Sequence, residues 1–180
     1  MATIISHSIA ALALGRVFAP DKMPLRFWFL SCFCAICPDF DVIAFAFDVS
    51  YGDMLGHRGI THSLLFAFGL GVLIVLLWFR ETQLFTGKWW LLVSYFFVVT
   101  ASHSVLDAIT NGGLGVAFFA PFYNERFFFP WRPVEVSPIG IEPFLSEWGL
   151  AVMVSEIKWI WIPSGLLVIM ATFVRRLRSK

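Results

Sequence analysis

From residue 60 to 79 the chain reads ITHSLLFAFGLGVLIVLLWF, a run without Asp, Glu, Lys or Arg. That length is enough to cross the hydrocarbon core of a bilayer. Inside hydrocarbon every backbone N–H and C=O has to be satisfied within the structure itself, so such a run is a helix. The composition agrees: 59% of the residues are hydrophobic, 14% are charged and the mean hydropathy is +0.81, outside the range of ordinary soluble domains.

The same reasoning predicts further helices over about 2–18, 24–37, 89–110 and 157–174. The second should end near Pro38, because proline cannot continue the hydrogen-bond ladder and biases the residue before it away from helix. The first lacks a basic segment ahead of its apolar stretch and carries Arg16 after it, so it reads as a retained helix and not a signal peptide. Residues 111–148 contain GGLG, APF, FPWRP and SPIG, which are too broken to span and read as a long aromatic loop on the membrane surface. The expected fold is all-α: a polytopic transmembrane helical bundle of about five membrane helices, forming a single integral membrane domain over 1–180.

Charge and cysteine content exclude other classes. A net charge of +1 selects no partner, and the basic residues form no stripe of the kind that binds nucleic acid. Cys32, Cys34 and Cys37 lie in FWFLSCFCAICPDFD at membrane depth, so they predict apolar packing and no disulfide framework. Under the positive-inside rule the C-terminal tail, with Arg175, Arg176, Arg178 and Lys180, is cytoplasmic. Counting back through alternate helix ends places Arg16, Lys22, Arg26, Arg80 and Lys88 on the same side. Only Arg58, Arg126, Arg132 and Lys158 fall on the other.

That topology was built without the histidines, and it gathers all four of them. His7 falls near the outer end of the first helix, Asp39 and Asp41 at the outer end of the second, His57 and His62 at the outer start of the third, and His103 and Asp107 in the last turns of the fourth. Ionisable groups within a membrane cost a few kcal/mol each on insertion scales, at least ~2.5 for Asp, so seven meeting at one level calls for a common cause. His103 and Asp107 are spaced i, i+4 on one helix face, where they can share an ion or where the carboxylate can orient the imidazole. Imidazole and carboxylate without thiolate suit catalytic zinc, with manganese or iron as alternatives, and the ligands suffice for two ions. Taken singly, each has a simpler reading: Asp39 and Asp41 as turn residues after Pro38, His57 and Arg58 as solvated loop residues, Ser63 as a helix cap.

An early histidine, Pro-Asp-x-Asp, His-Arg-Gly-x-Thr-His-Ser and Ser-His-x-x-x-Asp on successive apolar helices resemble the YdjM-like family of bacterial and archaeal membrane-bound, metal-dependent hydrolases. The likeness covers roughly residues 1–140. It implies an inner-membrane hydrolase with His and Asp ligands and does not specify a substrate.

The resulting expectation is a multi-pass protein of the bacterial inner membrane with a hydrolytic metal centre near the outer face. His7, Asp39, His57, His62, His103 and Asp107 are the candidate metal ligands. Asp41 is a ligand or the general base for a metal-activated water, and Arg58 and Arg132 neutralise charge developing on an ester or phosphoester. The substrate is a membrane lipid or a phosphorylated small molecule, reaching the site under the 111–148 loop. Two rivals remain: a metal-ion or proton transporter, although LGVLIVLLWF and LLVSYFFVV offer few polar groups for a pathway, and a non-catalytic membrane protein whose His and Asp groups hold the bundle together.

Overall fold

The computed structural model describes residues 1–19 and 23–178; Lys22 and Lys180, counted above on the cytoplasmic side, lie outside the described residues. The architecture is all-helical: α1 (Ile4–Phe18), α2 (Leu25–Ile36), a 3₁₀ segment (Cys37–Phe47), a 3₁₀ turn (Ile60–His62), α3 (Leu64–Trp78), α4 (Gly87–Ala108), a short α5 (Ile141–Phe144), α6 (Glu147–Glu156), a π turn (Ile157–Trp161) and α7 (Ile162–Arg178). Most helices start at a side-chain cap, which satisfies backbone donors that have no intrahelical acceptor. Thr3 accepts from Ser6 N, Ser63 from Phe66 N, Thr86 from Trp89 N and Ser146 from Trp148 N.

The helices alternate in direction, and side-chain ties fix which ends meet. Arg26 pairs with Glu81, setting the start of α2 beside the end of α3. Arg175 donates to the carbonyls of Arg16 and Val17, joining the end of α7 to the end of α1. Thr3 donates to Glu156, joining the start of α1 to the end of α6. One end of the bundle thus carries Arg16, Arg26 and Arg175, and the opposite end carries Thr3 and Glu156.

Among the described residues three helical stretches are long and apolar enough to cross a membrane: Leu25–Phe47, Gly87–Ala108 and Glu147–Arg178. α1 and α3 have 15 residues each, about 22 Å of rise against a hydrocarbon thickness of ~30 Å.

Several boundaries differ from the sequence reading; α3 starts at Leu64, after the separate 3₁₀ turn Ile60–His62, and not near residue 60. α2 ends at Ile36, but Pro38 does not release the chain from helical geometry; it occupies the first turn of the 3₁₀ segment, where a missing N–H costs nothing. Eleven residues is long for a 3₁₀ helix, which is otherwise found in short pieces. The final helix begins at Glu147, ten residues before the apolar run suggested, because Ser146 caps it and because Glu156 is fully buried instead of solvated.

Residues 111–140 are tied to the bundle end through their backbone. Leu64 N donates to Phe118 O, Ala117 N to Arg58 O, Phe129 N to Ala108 O and Asn111 N to Val134 O. Val116, Ala117, Ala120 and Val134 are buried beneath this cover. Gly115 has φ +82°, and a Cβ there would stand 3.0 Å from the Phe127 carbonyl, so the turn that closes over the site requires glycine.

Away from the site the helices pack through Ala11, Phe27, Leu30, Cys34, Ile74, Phe96 and Val99, while Leu65, Phe68, Leu73, Leu76 and Leu77 of α3 point outward. Apolar residues on both the inner and the outer face are what a lipid-surrounded helix presents. Lipid tails are as apolar as leucine, so helix association depends on close backbone approach at small residues. Gly71 is such a point: a Cβ there would lie 3.0 Å from both Phe97 N and Val93 O of α4, whereas Gly69 on the same helix has open space. Gly71→Val should therefore destabilise the protein by about 1–3 kcal/mol through overpacking. Gly69→Val should leave the thermal midpoint in detergent nearly unchanged; equal midpoints for the two variants would show that α3 and α4 do not meet at Gly71.

Candidate metal centre

Each helix end brings its polar residues to one place for a local reason. α1 enters behind the Thr3 cap and carries His7 one turn in. The 3₁₀ segment after Pro38 turns Asp39 and Asp41 inward. The loop before α3 delivers His57, Arg58 and His62, and the last turns of α4 carry His103 and Asp107. All are buried, the most accessible being Asp41 at 8%.

The hydrogen bonds fix the tautomers of two histidines. His103 Nδ1 lies 2.7 Å from the Ala35 carbonyl, which can only accept, so Nδ1 carries a proton and in the neutral ring Nε2 is the lone-pair nitrogen. His62 Nδ1 lies 3.1 Å from Thr61 Oγ1, whose own proton goes to Asp41, and 3.2 Å from the Asp41 carboxylate, so it too is a donor and Nε2 is the lone-pair nitrogen of the neutral ring. The two Nε2 atoms face each other at 3.0 Å. Two lone pairs at that distance repel unless a cation stands between them.

Carboxylates complete the cage. Asp39 Oδ1 is 3.4 Å from His103 Nε2 and 3.7 Å from His62 Nε2, and Asp107 Oδ2 is 3.9 and 3.6 Å from the same atoms. All four ligand atoms fall within 4.8 Å of one another. Neither Asp39 oxygen has a hydrogen-bond partner, nor does Asp107 Oδ2. Buried carboxylate oxygens without donors are costly unless an ion compensates them. Two nitrogen ligands each about 2.0–2.1 Å from one divalent ion stand roughly 3 Å apart, so the donor set fits a metal. His7 stacks on His103 with ring centroids 3.8 Å apart, and its Nε2 lies 3.5 Å from Asp107 Oδ1. Both His7 nitrogens lack hydrogen-bond partners, which makes it a fifth donor beside the cage.

An outer layer orients this inner one. Asp41 accepts from His57 Nδ1 at 2.6 Å, Arg58 N at 3.1 Å and Thr61 Oγ1 at 2.7 Å, besides contacting His62. Both of its oxygens are therefore occupied by donors. Asp41 and His57 form a second group close enough to hold an ion with His62, but the short hydrogen bonds within it already satisfy those atoms.

Arg58 is fully buried, with Nε 3.0 Å from Asp107 Oδ2, one terminal nitrogen donating to Gly112 O and the other to Thr110 Oγ1. Its backbone is left-handed at φ 63°, a conformation that costs a non-glycine residue about 1–3 kcal/mol and persists only where the surroundings enforce it. The expectation that Arg58 meets substrate charge is thereby revised: its guanidinium is consumed in holding Asp107. Arg132 is exposed and stacks over Phe128 at 4.7 Å, apart from the cluster. Arg126 braces the approach to the site by donating to the carbonyls of His57, Tyr51 and Asp53.

Sequence reasoning missed two contributors. The backbone N–H of Ala2 donates to Asp107 Oδ1 at 2.8 Å, and Glu156 anchors the segment that carries it. A backbone donor has no sequence signal. Glu156 had only its place as a lone acid immediately before the apolar run 157–174. The three cysteines are free, and among the described residues no metal-competent group contains one.

The family model described as YdjM inner membrane protein matches residues 1–179. The inner membrane protein YbcI of Escherichia coli (strain K12) is 38% identical over 179 residues, covering 98% of this chain and 100% of that relative. No solved structure matches the chain. The helices, the buried His and Asp residues and both sequence matches agree that this chain belongs to the YdjM inner membrane protein family.

Proposed function

We propose that the protein is a membrane-bound metal-dependent hydrolase that holds one divalent ion, zinc in the first instance, between Asp39, His62, His103 and Asp107, with His7 alongside. The observation that carries this reading is the pair of Nε2 atoms facing each other at 3.0 Å beside an Asp39 carboxylate whose two oxygens have no hydrogen-bond donor. A divalent ion there supplies Lewis acidity toward a carbonyl or phosphoryl oxygen and makes water nucleophilic near neutral pH.

The protein groups divide the remaining work. Asp41 has no oxygen free to take a proton, so the base is His57, oriented through Nδ1 by Asp41 as a carboxylate orients a general-base imidazole. Arg58 fixes Asp107 and offsets its charge. The 111–140 cover keeps bulk water from the cluster, and Arg132, exposed over Phe128, offers its planar fork to a phosphoester on the loop side. An ester or phosphoester of a membrane lipid is the substrate class that such a site, at one end of an apolar bundle, can meet.

A transport pathway is less well supported. Beneath the cluster lie the buried side chains of Phe27, Leu30, Cys34, Ile74, Phe96 and Val99, and the hydroxyls of Ser31, Tyr95 and Thr100 among them carry no charge and are engaged with one another or with backbone carbonyls.

Metal content of detergent-purified protein tests the ligand set. Wild type should hold about one equivalent of zinc, manganese or iron by elemental analysis, and the His103→Ala, Asp107→Ala double variant should hold none. Asp41→Asn should retain the fold and bind 10- to 100-fold more weakly, the usual effect of removing an orienting partner. Absence of metal from reconstituted wild type would sink the hydrolase reading.

We further propose five crossings in the bacterial inner membrane, with the 15-residue helices α1 and α3 among them and the basic end in the cytoplasm. A fluorescent protein fused after residue 178 should then be fluorescent, and alkaline phosphatase inserted near residue 123 should be active. The reverse pattern would put the metal centre on the cytoplasmic side.

A further inference from the structure

Glu156 is fully buried at the junction of α6 and the π turn, in a stretch apolar enough to lie in the membrane, yet it belongs to neither the cage nor the layer around it. Every group facing it is a donor from the start of α1. Thr3 N and Thr3 Oγ1 both donate to its carboxylate, and Ser6 Oγ donates at 2.6 Å. Ser6 Oγ in turn accepts from Trp161 Nε1 at 2.7 Å. In a regular α-helix residues five apart are separated by about 140° around the axis, so Glu156 and Trp161 would diverge. The wider π turn between them brings both to the face that meets α1.

The segment held in this way is the one that completes the metal cage. Thr3 is the cap of α1, its carbonyl accepts His7 N, and its neighbour Ala2 donates N–H to Asp107 Oδ1. At the far end of the same helix Arg175 binds the carbonyls of Arg16 and Val17. The final helical rod therefore presents a carboxylate to the N-terminus of α1 and a guanidinium to its C-terminus, each matching the sign of the helix dipole there. α1 is registered along its axis by these two ionic ends, and its register decides where His7 and the Ala2 N–H stand against Asp107.

We infer that Glu156 is a positioning residue for the metal centre: through Thr3 and Ser6 it sets the register of α1, and with it the placement of His7 and the Ala2 N–H on Asp107. The inference rests on the reading of the cluster as a metal site. It makes the C-terminal helix, which contributes no ligand, a determinant of metal affinity.

The test compares zinc affinity, by competition with a chelating indicator, with the thermal midpoint of the metal-free protein, using the full chain in detergent. Wild type is measured first; no binding there refutes the metal reading itself. Given wild-type binding, Glu156→Ala should weaken zinc 10- to 100-fold, and Glu156→Gln by less. His7→Ala should cost less in the Glu156→Ala background than in wild type, because both changes act through the placement of one helix. Tyr95→Phe, which removes the Ser31 hydrogen bond in the apolar half, should lower the midpoint without moving zinc affinity. If Glu156→Ala does not fold, the Thr3→Val, Ser6→Ala pair removes hydroxyl donors from the opposite side with the same expectation. Unchanged zinc affinity in a folded variant of the clamp, or additive losses with His7→Ala, would overturn the inference and leave Glu156 a group that only holds the fold together.

Discussion

The carboxylate of Asp107 is the point on which the site end of this protein depends. It is fully buried in the last turn of α4, where a lone negative charge in low dielectric would be prohibitive. One oxygen takes the Ala2 N–H and faces His7; the other faces Arg58, His62 and His103. The start of α1, the loop before α3 and α4 itself are thus drawn together by the need to compensate one charge. Arg58 accepts a left-handed backbone to reach it, and Thr110 Oγ1 after α4 and Gly112 O at the start of the cover supply the acceptors for the rest of that guanidinium.

Compensation is incomplete, and the deficit is localised. Asp41 and His57 find hydrogen-bond partners and Arg58 pairs with Asp107 Oδ2, whereas both oxygens of Asp39 and both nitrogens of His7 lack hydrogen bonds. A network that existed only to hold helices together would gain by pairing these atoms, since each buried polar group left alone costs on the order of 1–3 kcal/mol. Their concentration around the facing Nε2 atoms, inside a shell whose own bonds are satisfied, is the pattern of a cage with an oriented outer layer. The apolar packing beneath it strengthens every electrostatic interaction in the cluster by lowering the local dielectric.

Where the site and the fold meet, helix geometry departs from the α form. The 3₁₀ segment after Pro38 sets Asp39 toward the cage and Asp41 toward the outer layer, two residues apart. The π turn after Glu156 aligns two groups that a regular helix would separate. Both irregularities sit at the end of the bundle where polar groups must converge, and the opposite half is packed as regular α-helix with apolar or small residues.

The apolar runs and their interruptions determined the helical class and the approximate helices, because the solvent for a chain this hydrophobic leaves little choice. The alternation of helix ends was also enough to place His7, Asp39, Asp41, His57, His62, His103 and Asp107 at one level, since direction reverses at each turn whatever the packing detail. Only the tertiary structure decided which of them face the centre. Whether a buried carboxylate is a ligand or an orienting group depends on which donors surround it, and for Asp41 these come from residues sixteen to twenty positions away. Arg58 read as a substrate contact because it falls on the same side as the site and a guanidinium matches phosphate geometry, and only the fold showed that Asp107, Thr110 and Gly112 use up its nitrogens. The contributions of Ala2 and Glu156 were out of reach for the same reason: a backbone donor and an acid beyond an apolar run acquire meaning only when the first and last helices are brought side by side.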